Sequence, residues 1–597
     1  MRAALALAAL ACSTPLLAGA PARDASLHAL FEREFRYGLN EVPERATFLG
    51  IEGFDDRLSD RSPESVARRK AHTLAVIAEL QRFDPRKLST QDRISRDVML
   101  ANLRLDAEED AIYGDLPFSS GHSWSPVSST GGPHSFLVAV VKATRFRTTR
   151  DYDNYLARLA AVPRAIDQAI AAMRAGMASG WMPPAEAMAR TPAMFDLFAA
   201  DDVKATPLWR PFEQFPREVP EADRARLAQA GERALAGQVH PAFARLQRFL
   251  VSEYLPVARK SLGASTLPDG AKYYAVRVRK MTTTEMTAEE IHRLGLAEVA
   301  RIRAEMGAVI ASTGHKGSFA EFVQFVNSDP RFFFSKPEER LAAYRDIAKR
   351  ADAELPKLFA ELPRTPYGIR AMEAYEGDNA DNYSRPAIDG SRAGFFNANV
   401  NNLKDRPSYE MEAVLLHETV PGHHLQIARQ QELSGLPLFR RSGGYVAYSE
   451  GWGLYAESLG YEMGFYKDPY MRFGALWAEA MRACRLVIDT GIHTKGWGRE
   501  QSIRYMMDNA GLKLGFATAE IDRYINTPAQ ALGYKIGELR IKAMRAKARA
   551  ALGERFDVRR FHNAVLDDGP LPLTVLESRI DEWIREQGRA AARPGRR

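Results

Sequence analysis

The sequence predicts a mostly α-helical protein with a small β element next to the helix that carries its densest cluster of histidines. Three observations carry that expectation: capping boxes ahead of amphipathic runs, one run with period-2 alternation, and no internal repeat of solenoid or propeller length. The chain has 597 residues, 46% hydrophobic and 26% charged, which fits one or two large folded units and excludes disordered and collagen-like classes. Its net charge is +7, but Arg589, Arg593, Arg596 and Arg597 lie in a terminal Gly/Pro/Ala-rich tail. The body is therefore near neutral, and no nucleic-acid partner is expected.

Met1-Arg2, an apolar run through Leu17 and Ala18-Gly19-Ala20-Pro21-Ala22 describe a secretory signal over residues 1–22, cut after Ala20 or Ala22. Export, most simply to the periplasm, follows. The second reading is a lipoprotein, since Ala9-Leu10-Ala11 precedes Cys12. Beyond the signal no apolar run is long enough for a transmembrane segment. The mature chain then keeps one cysteine, Cys484, so any metal must be held by His and carboxylate.

Helical periodicity fills 62–83, 151–175 and 222–250, giving an N-terminal helical lobe over 23–265. Residues 117–133, rich in Ser, Gly and Pro, form a long loop that is either a lid or a surface crossing. Thr287 with Glu290 is a capping box opening a helix with Ile291, Leu294, Val299 and Ile302 on its apolar face. Ser335-Lys336-Pro337-Glu338 offers an N-cap, a first-turn proline and an N3 carboxylate to a helix that Pro356 interrupts. The stretch from Pro363 to Gly394 is irregular, and Phe396 to Asn401 alternates apolar and Asn residues as a half-buried strand does. A second lobe over 266–587 and a basic, disordered tail over 588–597 complete the division.

The chemistry lies in His417-Glu418-Thr419-Val420-Pro421-Gly422-His423-His424, after an apolar approach that Ser408 is placed to cap. Three of the 12 histidines fall within these residues. In the usual zinc-protease helix, H-E-x-x-H sets two imidazoles one turn apart, with Glu activating a water. Here Pro421 forces a break or bulge between the ligands. On an ideal helix His424 lies about 20° from His417 and His423 about 120° away; a bulge would reverse that preference, and both stay open. A third ligand is expected from Tyr448-Ser449-Glu450-Gly451-Trp452-Gly453-Leu454-Tyr455-Ala456-Glu457, which puts Glu450 and Glu457 on one helix face. Glu457 would orient a ligand or meet substrate.

The strings H-E-T-V-P-G-H-H-L-Q, S-E-G-W-G-L-Y-A-E, D-G-S-R-A-G-F-F-N, D-T-G-I-H-T-K-G-W and P-A-Q-A-L-G-Y-K-I-G together resemble the bacterial domain-of-unknown-function 885 family. That family is similar to gluzincin-type zinc peptidases of the carboxypeptidase Taq, thimet oligopeptidase and angiotensin-converting enzyme groups. The resemblance implies a two-lobed, zincin-like helical body around a deep central cleft. It also implies His417, His423 and Glu450 as ligands of one zinc ion, and a peptidase-like reaction on a peptide substrate. The well-studied groups lack the Pro-Gly insertion, so their metal geometry and substrate range do not transfer.

The expected mechanism is zinc-assisted amide hydrolysis with Glu418 as general base and then acid. Tyr534 resembles the downstream tyrosine that steadies developing negative charge, with His493 as second candidate. Asn397 and Asn399 on the strand, together with His424, Glu457, Arg482 and Gln530, are candidate substrate contacts. Arg482, Arg485 or Arg540 capturing a terminal carboxylate would make the enzyme a carboxypeptidase or dipeptidyl carboxypeptidase, and none doing so would favour an endo-acting oligopeptidase. A zinc hydrolase of a non-peptide amide and a catalytically silent binding module are the alternative readings.

Overall fold

The computed structural model describes residues 23–128, 131–377 and 379–592. The secretory signal, Cys12, and Arg593, Arg596 and Arg597 of the tail lie outside the described residues. Among the described residues the protein is mostly helical, with three short strands in one small sheet, as expected of a mostly α protein.

The periodic runs of the first half fold as α1 (Pro63–Leu80), α2 (Thr149–Ser179), α3 (Glu221–Ala234) and α4 (His240–Phe249). A π-helical turn, Leu235–Val239, joins α3 to α4. The Thr287–Glu290 capping box forms, and α5 runs Ala288–Ser312. In α6 (Pro337–Leu358) the cap position falls on Lys336 with no side-chain cap bond, because Ser335 Oγ donates instead to Glu339 at 3.3 Å. Pro356 sits inside the last turn of α6 without ending it.

The irregular stretch contributes β1 (Tyr367–Ala371) and β2 (Asn382–Ser384), with β3 (Gly394–Ala398) between them. β3 pairs parallel with β1 and antiparallel with β2. The chain then forms α7 (Met411–Glu418), α8 (His423–Glu432), α9 (Val446–Leu459), α10 (Pro469–Lys495), α11 (Gly533–Leu552) and α12 (Leu573–Ala592). Ser408 does not cap α7: a 3₁₀ turn, Ser408–Glu410, precedes it, and Glu410 occupies the cap position without a side-chain bond. α12 also corrects the expected disordered tail, since its backbone remains helical from 588 to 592.

Two main cores result. The larger packs α5 along α10 and α9 along α11, and includes Trp452, Tyr455, Cys484 and Leu486. The second is built by Tyr155, Leu159, Phe212, Phe243 and their neighbours. Ile94, Trp124 and Trp181, from before position 265, pack into the larger core. The 117–133 loop is anchored: Phe118, Trp124 and Val127 are buried, and Ser119 pairs with His122 through both backbone hydrogen bonds. Among the described residues no helix is long and apolar enough to cross a membrane.

Candidate metal centre

Pro421 has no N–H to donate, so α7 stops at Glu418 and a new helix, α8, starts at His423. The break is tightly held. A Cβ on Gly422 would stand 1.9 Å from the His417 carbonyl oxygen, so only glycine lets the chain turn back this closely. Trp452 Nε1 donates to the Pro421 carbonyl at 2.8 Å, and the His424 N–H returns to the Thr419 carbonyl at 2.9 Å.

This reset of helical phase brings His423 alongside His417. Their rings are 4.6 Å apart at 83°, and one donor atom each from His417, His423 and Glu450 lie within 4.8 Å of one another. Glu450 Oε2 stands 3.4 Å from His417 Nε2 and 3.3 Å from His423 Nε2. Tetrahedral ligands about 2.1 Å from a shared ion stand about 3.4 Å from each other, so this spacing fits one metal ion. The donors are chemically ready as well. Glu457 Oε1 accepts from His417 Nδ1 at 2.8 Å, which turns Nε2 towards Glu450 as the atom a metal would take once its proton is displaced. Gly453 makes room for this, because a Cβ there would press to 2.7 Å from the His417 ring.

Burial works against charge on Glu450, but His423 and His417 beside it hold its pKa well below the usual carboxylate range. Burial also works against the His417 imidazolium, and the hydrogen bonds it donates to Glu450 and Glu457 overcome it, raising the pKa to about 9. Burial raises the Glu418 pKa, while His417 and His423 pull it down. Glu418 has no hydrogen-bond or ion-pair partner among the described residues, so its carboxylate is free for a proton-transfer role.

Tyr534 lies within the same group, its ring 6.5 Å from that of His417 and nearly parallel at 18°. The Arg485 guanidinium sits 4.2 Å from the centre of the Tyr534 ring, while its nitrogens bond Tyr524 and Glu520. Arg485 thus supports Tyr534, while its Nη1 is buried without a hydrogen-bond partner. Arg482 pairs with Glu457 at 3.3 Å and donates to the Ala478 carbonyl; Arg540 pairs with Glu577; Gln530 Oε1 accepts from Arg523 at 2.6 Å. A cavity of about 500 Å³ reaches Glu457 from the side of Leu454 and Tyr461.

Several expectations need correction. His493 is fully buried away from the donors, its Nδ1 accepting from the Ala264 N–H at 2.9 Å and its Nε2 donating to the Tyr524 carbonyl at 3.1 Å. Both nitrogens are committed, so it has none to offer a substrate. His424 is likewise committed, to the Tyr383 hydroxyl and the Thr365 carbonyl, and ties α8 to the sheet. β3 is the middle strand, so it cannot accept an added substrate strand. Asn397 bonds Arg370, Asn382 and Ser384, while Asn399 is fully buried and donates to the carbonyls of Gly377 and Asn379. Sequence reasoning passed over Gly453 and Trp452. The signal for the first was present: a glycine lies between Glu450 and Glu457 on the same helix face, where an imidazole needs room.

Helical fold and donor set together describe a chain with His, His and Glu at metal-ligand spacing beside an unpartnered glutamate. The chain belongs to the bacterial protein family of unknown function DUF885, whose sequence profile matches residues 43–580. A "putative lipoprotein" from Colwellia psychrerythraea is similar at 28% identity and a TM-score of 0.87, covering 94% of this chain and 99% of its own. A "putative lipoprotein of unknown function" from Shewanella oneidensis shares the fold at 18% identity and a TM-score of 0.69, covering 93% and 99%. A "putative oligoendopeptidase F" from Bacillus anthracis aligns at 11% identity and a TM-score of 0.28 over 87% and 96% of the two chains, too distant to bear on activity. No curated protein matches.

Proposed function

We propose that this chain is a zinc-dependent hydrolase of amide bonds, acting on peptides, with His417, His423 and Glu450 holding the ion. The observation that carries the reading is the convergence of these three donors next to Glu418, which no other group engages. A zinc ion at such a set, when bound, supplies Lewis acidity to a carbonyl and lowers the pKa of a water towards 7.

The chain's own residues do the rest. Glu418 takes the proton of the attacking water and delivers it to the leaving amine, a transfer that contributes about 10²–10⁴ in rate. Tyr534 donates to the carbonyl oxygen as it gains negative charge, and Arg485 under its ring keeps it in place. Glu457 fixes the His417 tautomer, and Arg482 steadies Glu457 in turn. Arg482, Arg485 and Arg540 each pair with a glutamate, yet Arg482 Nε and Arg485 Nη1 are buried without a hydrogen-bond partner, so these arginines do not rank exo against endo action.

The work site would be the cell envelope. The signal read at residues 1–22 and the lipoprotein descriptions of the Colwellia and Shewanella relatives support export, with Cys12 the lipid attachment point if the lipoprotein reading holds.

The test is cleavage of a mixed peptide library by the wild-type chain and by Glu418→Gln. Turnover that falls about 10²–10⁴-fold in the variant, with zinc content unchanged, is the expected outcome. Equal turnover in both would remove Glu418 from the reaction. Absence of any cleavage by the zinc-loaded wild type would move the substrate to a non-peptide amide or the role to binding.

A further inference from the structure

The 117–133 loop takes no part in the metal centre, yet Pro126 and Pro133 from it line a cavity of about 220 Å³. Phe136, Leu137 and Ile166 are among its apolar lining, and Glu44, Ser59 and Arg61 supply its polar groups. Two of those three are committed to each other. The Ser59 N–H and Oγ donate to the two Glu44 carboxylate oxygens at 2.9 and 2.6 Å.

Arg61 is different. Its backbone N–H donates to Gln168, but among the described residues its guanidinium has neither a hydrogen-bond acceptor nor an ion-pair partner. Near it Arg69 Nε and Nη2 and His122 Nδ1 are buried without hydrogen-bond partners as well. Burial lowers the Arg61 pKa, Glu44 raises it, and Arg69 lowers it again. Burial, then Arg69 and Arg61, lower the His122 pKa to about 3, so His122 adds no charge at neutral pH.

An arginine fork without an acceptor is shaped for a carboxylate. Inorganic anions would satisfy the fork and leave the apolar wall wet; a neutral apolar molecule would do the reverse. The space equals that of about seven waters at roughly 30 Å³ each, enough for a short chain or a single side chain. We propose that this cavity binds a small monocarboxylate with an apolar tail, the carboxylate pairing with Arg61 and the tail lying against Phe136, Leu137 and Ile166. The site is independent of the hydrolase reading, since it shares no residue with the metal centre.

The probe is hexanoate, titrated calorimetrically into the full chain at low salt, with 1-hexanol and hexylamine as controls. One hexanoate per chain, at least tenfold tighter than either control and weakened at least tenfold by Arg61→Gln, is the expected result. Ala165→Leu, which fills the cavity and keeps Arg61, should also weaken hexanoate at least tenfold, and it decides the matter if Arg61→Gln does not fold. Hexanoate that does not saturate, or that binds either folded variant as it binds the wild type, overturns the proposal. N-acetylleucine separates the sources of such a ligand: both rankings support the site, with tighter binding than hexanoate assigning it to peptide C-termini and weaker binding to free acids.

Discussion

His417 carries more of the proposed metal site than any other side chain: Nε2 faces Glu450, Nδ1 is held by Glu457, and Gly453 leaves space for its ring. Those two carboxylates raise its pKa from 6.5 to about 9, so in the metal-free chain the imidazole keeps a proton that a metal must displace. Zinc affinity should therefore fall about tenfold per pH unit as the pH drops from about 9 to about 6, which a competitive chelator titration measures. An affinity flat across that range would contradict the arrangement. The same shift stabilises the metal-free fold fully below 6.5, and that contribution is lost as the pH rises through about 9. At this scale residue type and spacing pointed to the group that His417 forms with His423 and Glu450, whose donor atoms the fold brings within 4.8 Å of one another. They were not informative for His493, Asn397 or Asn399, because a residue's identity does not reveal whether its polar atoms are already satisfied by the fold.

The break between α7 and α8 is the element on which the site depends. The Pro421-Gly422 pair announced it, but helical phase cannot be carried across a break, so His423 and His424 could not be ranked by angle. The structure separates them: His423 faces Glu450 while His424 bonds Tyr383 and Thr365. Gly422→Ala should fail here, since the added carbon would meet the His417 carbonyl at 1.9 Å. We expect the variant to lose zinc by elemental analysis and to unfold at lower temperature; zinc retained at one per chain would show that the turn tolerates a side chain. The small sheet was half legible. Alternation from Phe396 exposed β3, but β1 and β2 lie in a stretch without a period-2 signal, and only their pairing shows that β3 is interior.

Across the whole molecule, α5, α10 and α11 are joined by one fully buried lysine. Lys535 Nζ reaches Glu298 at 3.1 Å, Glu479 at 2.6 Å and Glu538 at 2.6 Å. Burial lowers its pKa and the carboxylates more than restore it, so it is charged throughout the physiological range. Lys535→Met takes away the buried cation but leaves Arg301 on Glu298 and Glu479 and Lys542 on Glu538, and should cost about 1–3 kcal/mol in equilibrium urea unfolding. A loss under about 1 kcal/mol would place the network among the weak surface pairs. The mostly helical class was legible from caps and periodicity, but this cross-helix network was not, since its members lie far apart in sequence. The central claim is the metal centre itself, and the most direct measurement is metal content of the purified chain beside His423→Ala and His424→Ala. One zinc per chain in the wild type and His424→Ala, and none in His423→Ala, is the predicted result. Zinc retained in His423→Ala, or absent from a zinc-supplemented wild type, would contradict it.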